Sequence, residues 1–142
     1  MRIVLATPVY PPEIGGPATY TKEIALRLRD KHEIIIVAYA STSEIIEGTT
    51  LFIASKRRSL LFRLLKFTFD LFRASQGADV IYVQNAVAAG LPAVIVGMLR
   101  DIPVVLKFVG DEAWERASQE RRTKKRLEEF LANPDGGWRT AI

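Results

Sequence analysis

Five short runs rich in apolar residues, separated by helical patterns or a polar loop, set the terms for what this chain can fold into. The clearest is Glu33–Tyr39, EIIIVAY. A run of β-branched residues with no polar alternation suits a strand covered on both faces, the condition inside a parallel sheet. Arg2–Ala6 opens the chain in the same manner, and Thr50–Ala54, Asp79–Val83 (DVIYV) and Pro103–Lys107 (PVVLK) follow. Between the first two runs, Tyr20–Asp30 places Ile24, Ala25 and Leu28 on one helical face, with Lys22, Glu23, Arg27 and Asp30 largely off it. Asn85–Arg100 reads as a helix before the fifth run, and Ser41–Gly48 as a polar loop before the third. Alternation of this kind predicts an α/β fold with right-handed crossovers, a doubly wound parallel sheet in the order 3-2-1-4-5.

In such a sheet, ligands bind outside the carboxyl ends of the strands where the strand order reverses. Three loops converge there. The first is Ala6–Tyr20, ATPVYPPEIGGPATY, which holds Thr7, Tyr10, Gly15 and Gly16. Glycines without a Cβ let backbone amides approach a ligand closely, and the alternative is a tight turn that needs positive φ. Pro17 suits the first helical position, and amides at a helix start favour an anion. The second loop, Gln84-Asn85-Ala86, offers side-chain amides that donate to and accept from hydroxyl-rich ligands. The third, Phe108–Glu112, carries Gly110 and Asp111. A carboxylate at a strand end can orient a hydroxyl nucleophile or accept its proton. Asp111 is equally placed to cap a helix through Trp114, and the two roles are compatible. Lys107 ends its strand, either pointing into the cleft or pairing with Asp111.

The 142 residues fit about one domain with room for a substantial core, and 49% apolar against 25% charged residues argues against disorder. With no cysteine and one histidine, His32 in the turn before the second strand, neither a metal site nor a cofactor is expected. GxGxxG, GxxxxGK[ST] and GxSxG are all missing, which weighs against dinucleotide, P-loop and serine-hydrolase chemistry. No apolar run reaches the ~18 residues of a membrane span, and no signal-peptide pattern opens the chain, so a cytoplasmic location is expected. A net charge of +4 suits anionic ligands, an anionic membrane or nucleic acid without choosing among them.

Two further segments have a charge pattern. Ser59–Gln76, SLLFRLLKFTFDLFRASQ, sets Arg63, Lys66, Asp70 and Arg73 in one narrow helical stripe, with Lys56, Arg57 and Arg58 before it. Its wide apolar remainder is either a helix buried between the sheet and a neighbour or a peripheral contact with the inner membrane face. Past Ala117 the chain becomes a charged helix and tail, 118–142. Its basic run Arg121–Arg126 is bracketed by Glu120, Glu128 and Glu129, the pattern of a solvated helix rather than a nucleic-acid patch.

The stretch ATPVYPPEIGGPATYTKEIALRL resembles the opening of the amino-terminal domain of GT-B glycosyltransferases, in the retaining group often called family four. Pro8, Tyr10, Pro11, Gly15, Gly16 and Tyr20 are the matching positions. VVLKFVGDEAWERA, Val104–Ala117, is similar to the fifth-strand segment of a subset of that family. The resemblance covers residues 1–117. It implies a Rossmann-like domain that binds a sugar or lipid-linked acceptor. A second such half, absent from these 142 residues, would hold a nucleotide-sugar, and transfer would occur in the cleft between them. Gly15 and Gly16 would face the donor diphosphate, with retention of anomeric configuration implied by the resemblance alone. Many relatives place a histidine after the fifth strand, where this chain has Val109-Gly110-Asp111. Asp111 takes that role or leaves it unfilled. The relatives' Glu-x7-Glu spacing recurs at Glu112/Glu120 and Glu120/Glu128, but in the wrong half of the architecture, and both are read as coincidence.

Overall fold

The computed structural model describes residues 1–107. They form β1 (Arg2–Thr7), α1 (Gly16–Leu28), β2 (Glu33–Ala40), β3 (Thr49–Ser55), α2 (Leu60–Ala74), β4 (Val80–Gln84), α3 (Gly90–Arg100) and β5 (Val104–Lys107). All four strand pairings are parallel, and the sheet order is β3-β2-β1-β4-β5, as the alternation predicts.

Strand alternation divides the core into two layers. Val4 and Ala6 of β1, with Ile35 and Val37 of β2, face Phe67 and Leu71 of α2 and Ala93 and Val96 of α3. Ile3 and Leu5, with Ile34 and Ile36, face Ala25 of α1 on the opposite side. Helices on both faces explain why β1 and β2 carry almost no polar residue. All five carboxyl ends point the same way, so the tips of β1, β4 and β5 lie along one rim.

The helix expected from Asn85 begins five residues later, at Gly90. Asn85 sits in the left-handed region with φ 87°, and its side-chain Oδ1 accepts the amides of Val87 and Ala88 at 2.9 and 2.7 Å. A side chain that closes its own turn competes with helix formation, so residues 85–89 stay irregular. Gly97 in α3 marks a close approach to the sheet: a Cβ there would lie 2.5 Å from Val104 Cγ2 and 2.9 Å from the Ile102 carbonyl oxygen. In α2 the expected polar stripe does not face outward as a unit. Asp70 is 2% exposed and paired with Lys66, while Leu61, Leu65 and Phe69 point to solvent.

Candidate functional site

After β1 the chain turns through Pro8–Gly15 before entering α1. Thr7 is buried and its hydroxyl donates to the Val9 carbonyl oxygen at 2.9 Å. Tyr10 is fully buried in the α1-side core layer, where burial and then the nearby Glu44 carboxylate push its phenol up to about 12. The expectation of a ligand-facing Tyr10 therefore meets a packing residue. Glu13 fixes the loop from above: it pairs with Lys56 after β3 and accepts the Ser41 amide at 2.8 Å. Burial raises the Glu13 carboxyl, but the Lys56 ammonium and the Ser41 amide outweigh it and hold the carboxyl below its ordinary value.

Neither loop glycine is explained by a positive φ. Gly15 has φ 169°, extended backbone open to any residue, and a Cβ there would make only ordinary contacts with Val9 and Pro17. A Cβ on Gly16 would meet nothing within 4 Å. Helix α1 begins at Gly16 rather than Pro17, which takes the second position. No side chain caps this end, and Thr19 is the first residue whose amide turns back to the Gly15 carbonyl oxygen, at 3.1 Å. The Gly16 and Ala18 amides have no backbone partner among the described residues, and Pro17 has none to offer. The result is an open, uncapped helix start at the tip of β1, where orphan donors and helix dipole act together on an anion.

The tips of β4 and β5 are tied to the same helix. Gln84, 2% exposed, donates from its amide to Thr21 Oγ1 at 2.6 Å. Its Oε1 is buried with no partner among the described residues. The Gln84 amide therefore braces β4 against α1. Asn85 is half-buried and its Oδ1 is occupied by its own turn, which leaves its Nδ2 to interact elsewhere. Lys107 places Nζ 2.9 Å from the centroid of the Tyr20 ring, on the first turns of α1. Tyr20 stacks on Tyr82 with centroids 6.4 Å apart. A hydrogen bond with Tyr82, reinforced by the Lys107 ammonium, lowers the Tyr20 phenol, while burial and that same bond raise Tyr82. Gly110 and Asp111 lie outside the described residues. The structure thus gathers Gly15, Gly16, Gln84 and Lys107 around the first half of α1 and leaves Tyr10 in the core.

The same rim carries a second feature that local sequence pattern does not reveal. A cavity of about 120 Å³ lies between the tips of β1, β2 and β3 and the start of α2, lined by Pro8, Tyr39, Lys56, Leu60, Arg63 and Ala88 among others. Tyr39 stacks on Phe67 with centroids 4.2 Å apart and rings 6° from parallel, and its hydroxyl donates to the Ala88 carbonyl oxygen at 3.0 Å. Burial pushes the Tyr39 phenol up to about 12, partly offset by the Arg63 guanidinium. The composition of EIIIVAY held a hint: past Glu33 at its start, Tyr39 is the one polar-tipped residue, at the carboxyl end. Among the described residues no cluster of three or more metal-ligating side chains occurs.

The family model described as "Glycosyl transferase 4-like domain" matches residues 15–134. The match begins at the loop glycines and runs past Ala117, the end of the segment that resembles the family by motif. No curated protein matches the chain in sequence. Among solved structures, the C-terminal domain of a hydrogenase from Pyrococcus furiosus is similar with a TM-score of 0.49 and 10% identity, covering 75% of this chain and 90% of that one.

Proposed function

We propose, on the premise that the chain belongs to the glycosyl transferase 4-like family, that it forms the acceptor-side half of a nucleotide-sugar-dependent glycosyltransferase. The family supplies the transferase reading. The finer assignment rests on one observation, the open and uncapped start of α1 at Gly16. Amides there, with the Lys107 ammonium nearby on Tyr20, suit the diphosphate of a donor held by a second domain. As that diphosphate leaves with the electrons of the glycosidic bond, fixed donors stabilise the charge that develops. Asp111 orients or deprotonates the acceptor hydroxyl, and Asn85 contacts sugar hydroxyls. Gln84 acts indirectly, by fixing the β4 tip to Thr21.

A cleft with one wall does not hold donor and acceptor together, so the isolated chain turns over little. The test joins this chain to the nucleotide-sugar-binding half of a family member and follows release of nucleoside diphosphate. We expect acceptor-dependent release that falls about 100-fold or more in Asp111→Asn, the usual scale for a lost general base. Release that is indifferent to both Asp111→Asn and Gly16→Ala would remove the assignment.

A further inference from the structure

We propose that the outward faces of α2 and α3 together form a docking surface for an anionic lipid bilayer, a property beyond the transferase reading and independent of it. Both helices lie on the same side of the sheet and touch each other, with the Arg100 guanidinium of α3 3.8 Å from the centroid of the Phe72 ring of α2. A helix covering a sheet normally turns charged residues to water. Here the outward face of α2 is Leu61, Phe62, Leu65, Phe69 and Phe72, with Leu61 69% and Leu65 62% exposed. The single acid of α2, Asp70, is instead turned inward against Lys66. The outward face of α3 is also wholly apolar, through Leu91, Ile95, Met98 and Leu99, and Met98 is 80% exposed. Two adjacent helices therefore present one continuous apolar surface of a kind that soluble monomers seldom leave open.

Charge identifies what covers it. Residues 56–76 hold six cations and one acid, a net +5 in a chain whose total is +4, so the remainder sums to −1. Arg58 rides over Phe62, Arg73 over Phe69 and Arg100 over Phe72, so guanidinium groups sit on the aromatic residues of the face. None of the three forms an ion pair with a described residue. Apolar side chains beside cations, with no outward acid within either helix and Asp101 exposed only past the end of α3, match the acyl boundary and phosphate layer of an anionic bilayer. A second copy fits poorly, because a two-fold interface sets the same patch against itself and would bring these arginines together. Among the described residues no helix is long and apolar enough to cross a membrane, so contact would be with the surface. The strand tips then open along the bilayer plane, beside the start of α2.

The test is co-sedimentation of the chain with phosphatidylcholine vesicles, with and without phosphatidylglycerol, at low and high salt. We expect binding that requires phosphatidylglycerol and weakens with salt. Arg57→Glu/Arg58→Glu should reduce it by about 25-fold or more, at roughly fivefold per cation lost. Leu65→Glu/Met98→Glu should abolish it with an unchanged circular dichroism spectrum, since both side chains are already exposed. Leu26→Glu, on α1 across the sheet, should leave it intact. Three outcomes would overturn the proposal: no sedimentation with phosphatidylglycerol vesicles at low salt, binding that survives Leu65→Glu/Met98→Glu, or a solution dimer that this variant dissociates. None of these substitutions touches the start of α1, Gln84, Lys107 or Asp111, so failure here leaves the transferase reading standing.

Discussion

Adding one methyl group at two glycines separates a packing role from a ligand role. At Gly97 the new Cβ would lie 2.5 Å from Val104 Cγ2 and 2.9 Å from the Ile102 carbonyl oxygen. One neighbour is backbone and the other a β-branched side chain on β5, so neither can swing away. Overpacking of a filled site costs about 1–3 kcal/mol, and the rigid neighbours put Gly97→Ala in the upper part of that range. Replacing glycine by alanine inside a helix returns about 1 kcal/mol. The net loss is then about 1–2 kcal/mol, or a melting temperature lower by roughly 3–10 °C for a chain of this size. Gly16 has the opposite surroundings, with no atom within 4 Å of its added Cβ and no left-handed backbone. Gly16→Ala should stabilise by about 0.4–1 kcal/mol, through a less mobile unfolded chain. Thermal unfolding of the two variants beside the parent protein checks both signs. A Gly97→Ala protein that melts at or above the parent would refute the close approach of α3 to β5. A Gly16→Ala protein that melts lower would show that the space before α1 is not open.

Further predictions follow from the same contacts. Phe67→Ala removes a fully buried ring stacked on Tyr39 and should cost about 3–5 kcal/mol by denaturant unfolding; a loss under about 1 kcal/mol would mean that the layer is not packed as described. Absorbance titration of the four tyrosines should show one, Tyr20, ionising below the usual value and three above it. In Lys107→Met the early phase should move up, and an unmoved phase would break the link between Lys107 and Tyr20. The Glu13 carboxyl is depressed in the folded state, so its contribution is present above the ordinary glutamate range and is lost as pH falls through the folded value. Melting temperature on acidification should therefore fall less steeply in Glu13→Gln, and parallel curves would contradict the pairing with Lys56.

The strands were legible in the sequence because burial on both faces strips them of polar residues, as in Ile34–Val37 and Ile81. Their order followed from the handedness of crossovers, which depends on no particular side chain. The site was less legible. Asn85 looked like a helix start because only its sequence position was visible, whereas its backbone turns left-handed and its carboxamide caps the turn. Tyr10 lies in a loop by sequence, yet the loop folds down and packs it. Periodicity found the stripe Arg63–Arg73 in α2 but not which side of it meets the sheet, and the structure turns Asp70 inward. The contact of Lys107 with Tyr20 and the Arg63–Tyr39 cavity join residues distant in sequence, which local pattern does not encode.

Amide chemical shifts of the isotopically labelled chain, titrated with uridine and guanosine diphosphates and with inorganic pyrophosphate, address the central claim most directly. A one-walled site predicts saturable movement of the Gly15, Gly16 and Ala18 amides, with a dissociation constant of about 1 mM, equivalent to about 4 kcal/mol of contacts. Gly16→Ala should abolish that movement without unfolding the chain. Diphosphates that move none of these amides, or that move them equally in Gly16→Ala, would contradict a donor-facing helix start.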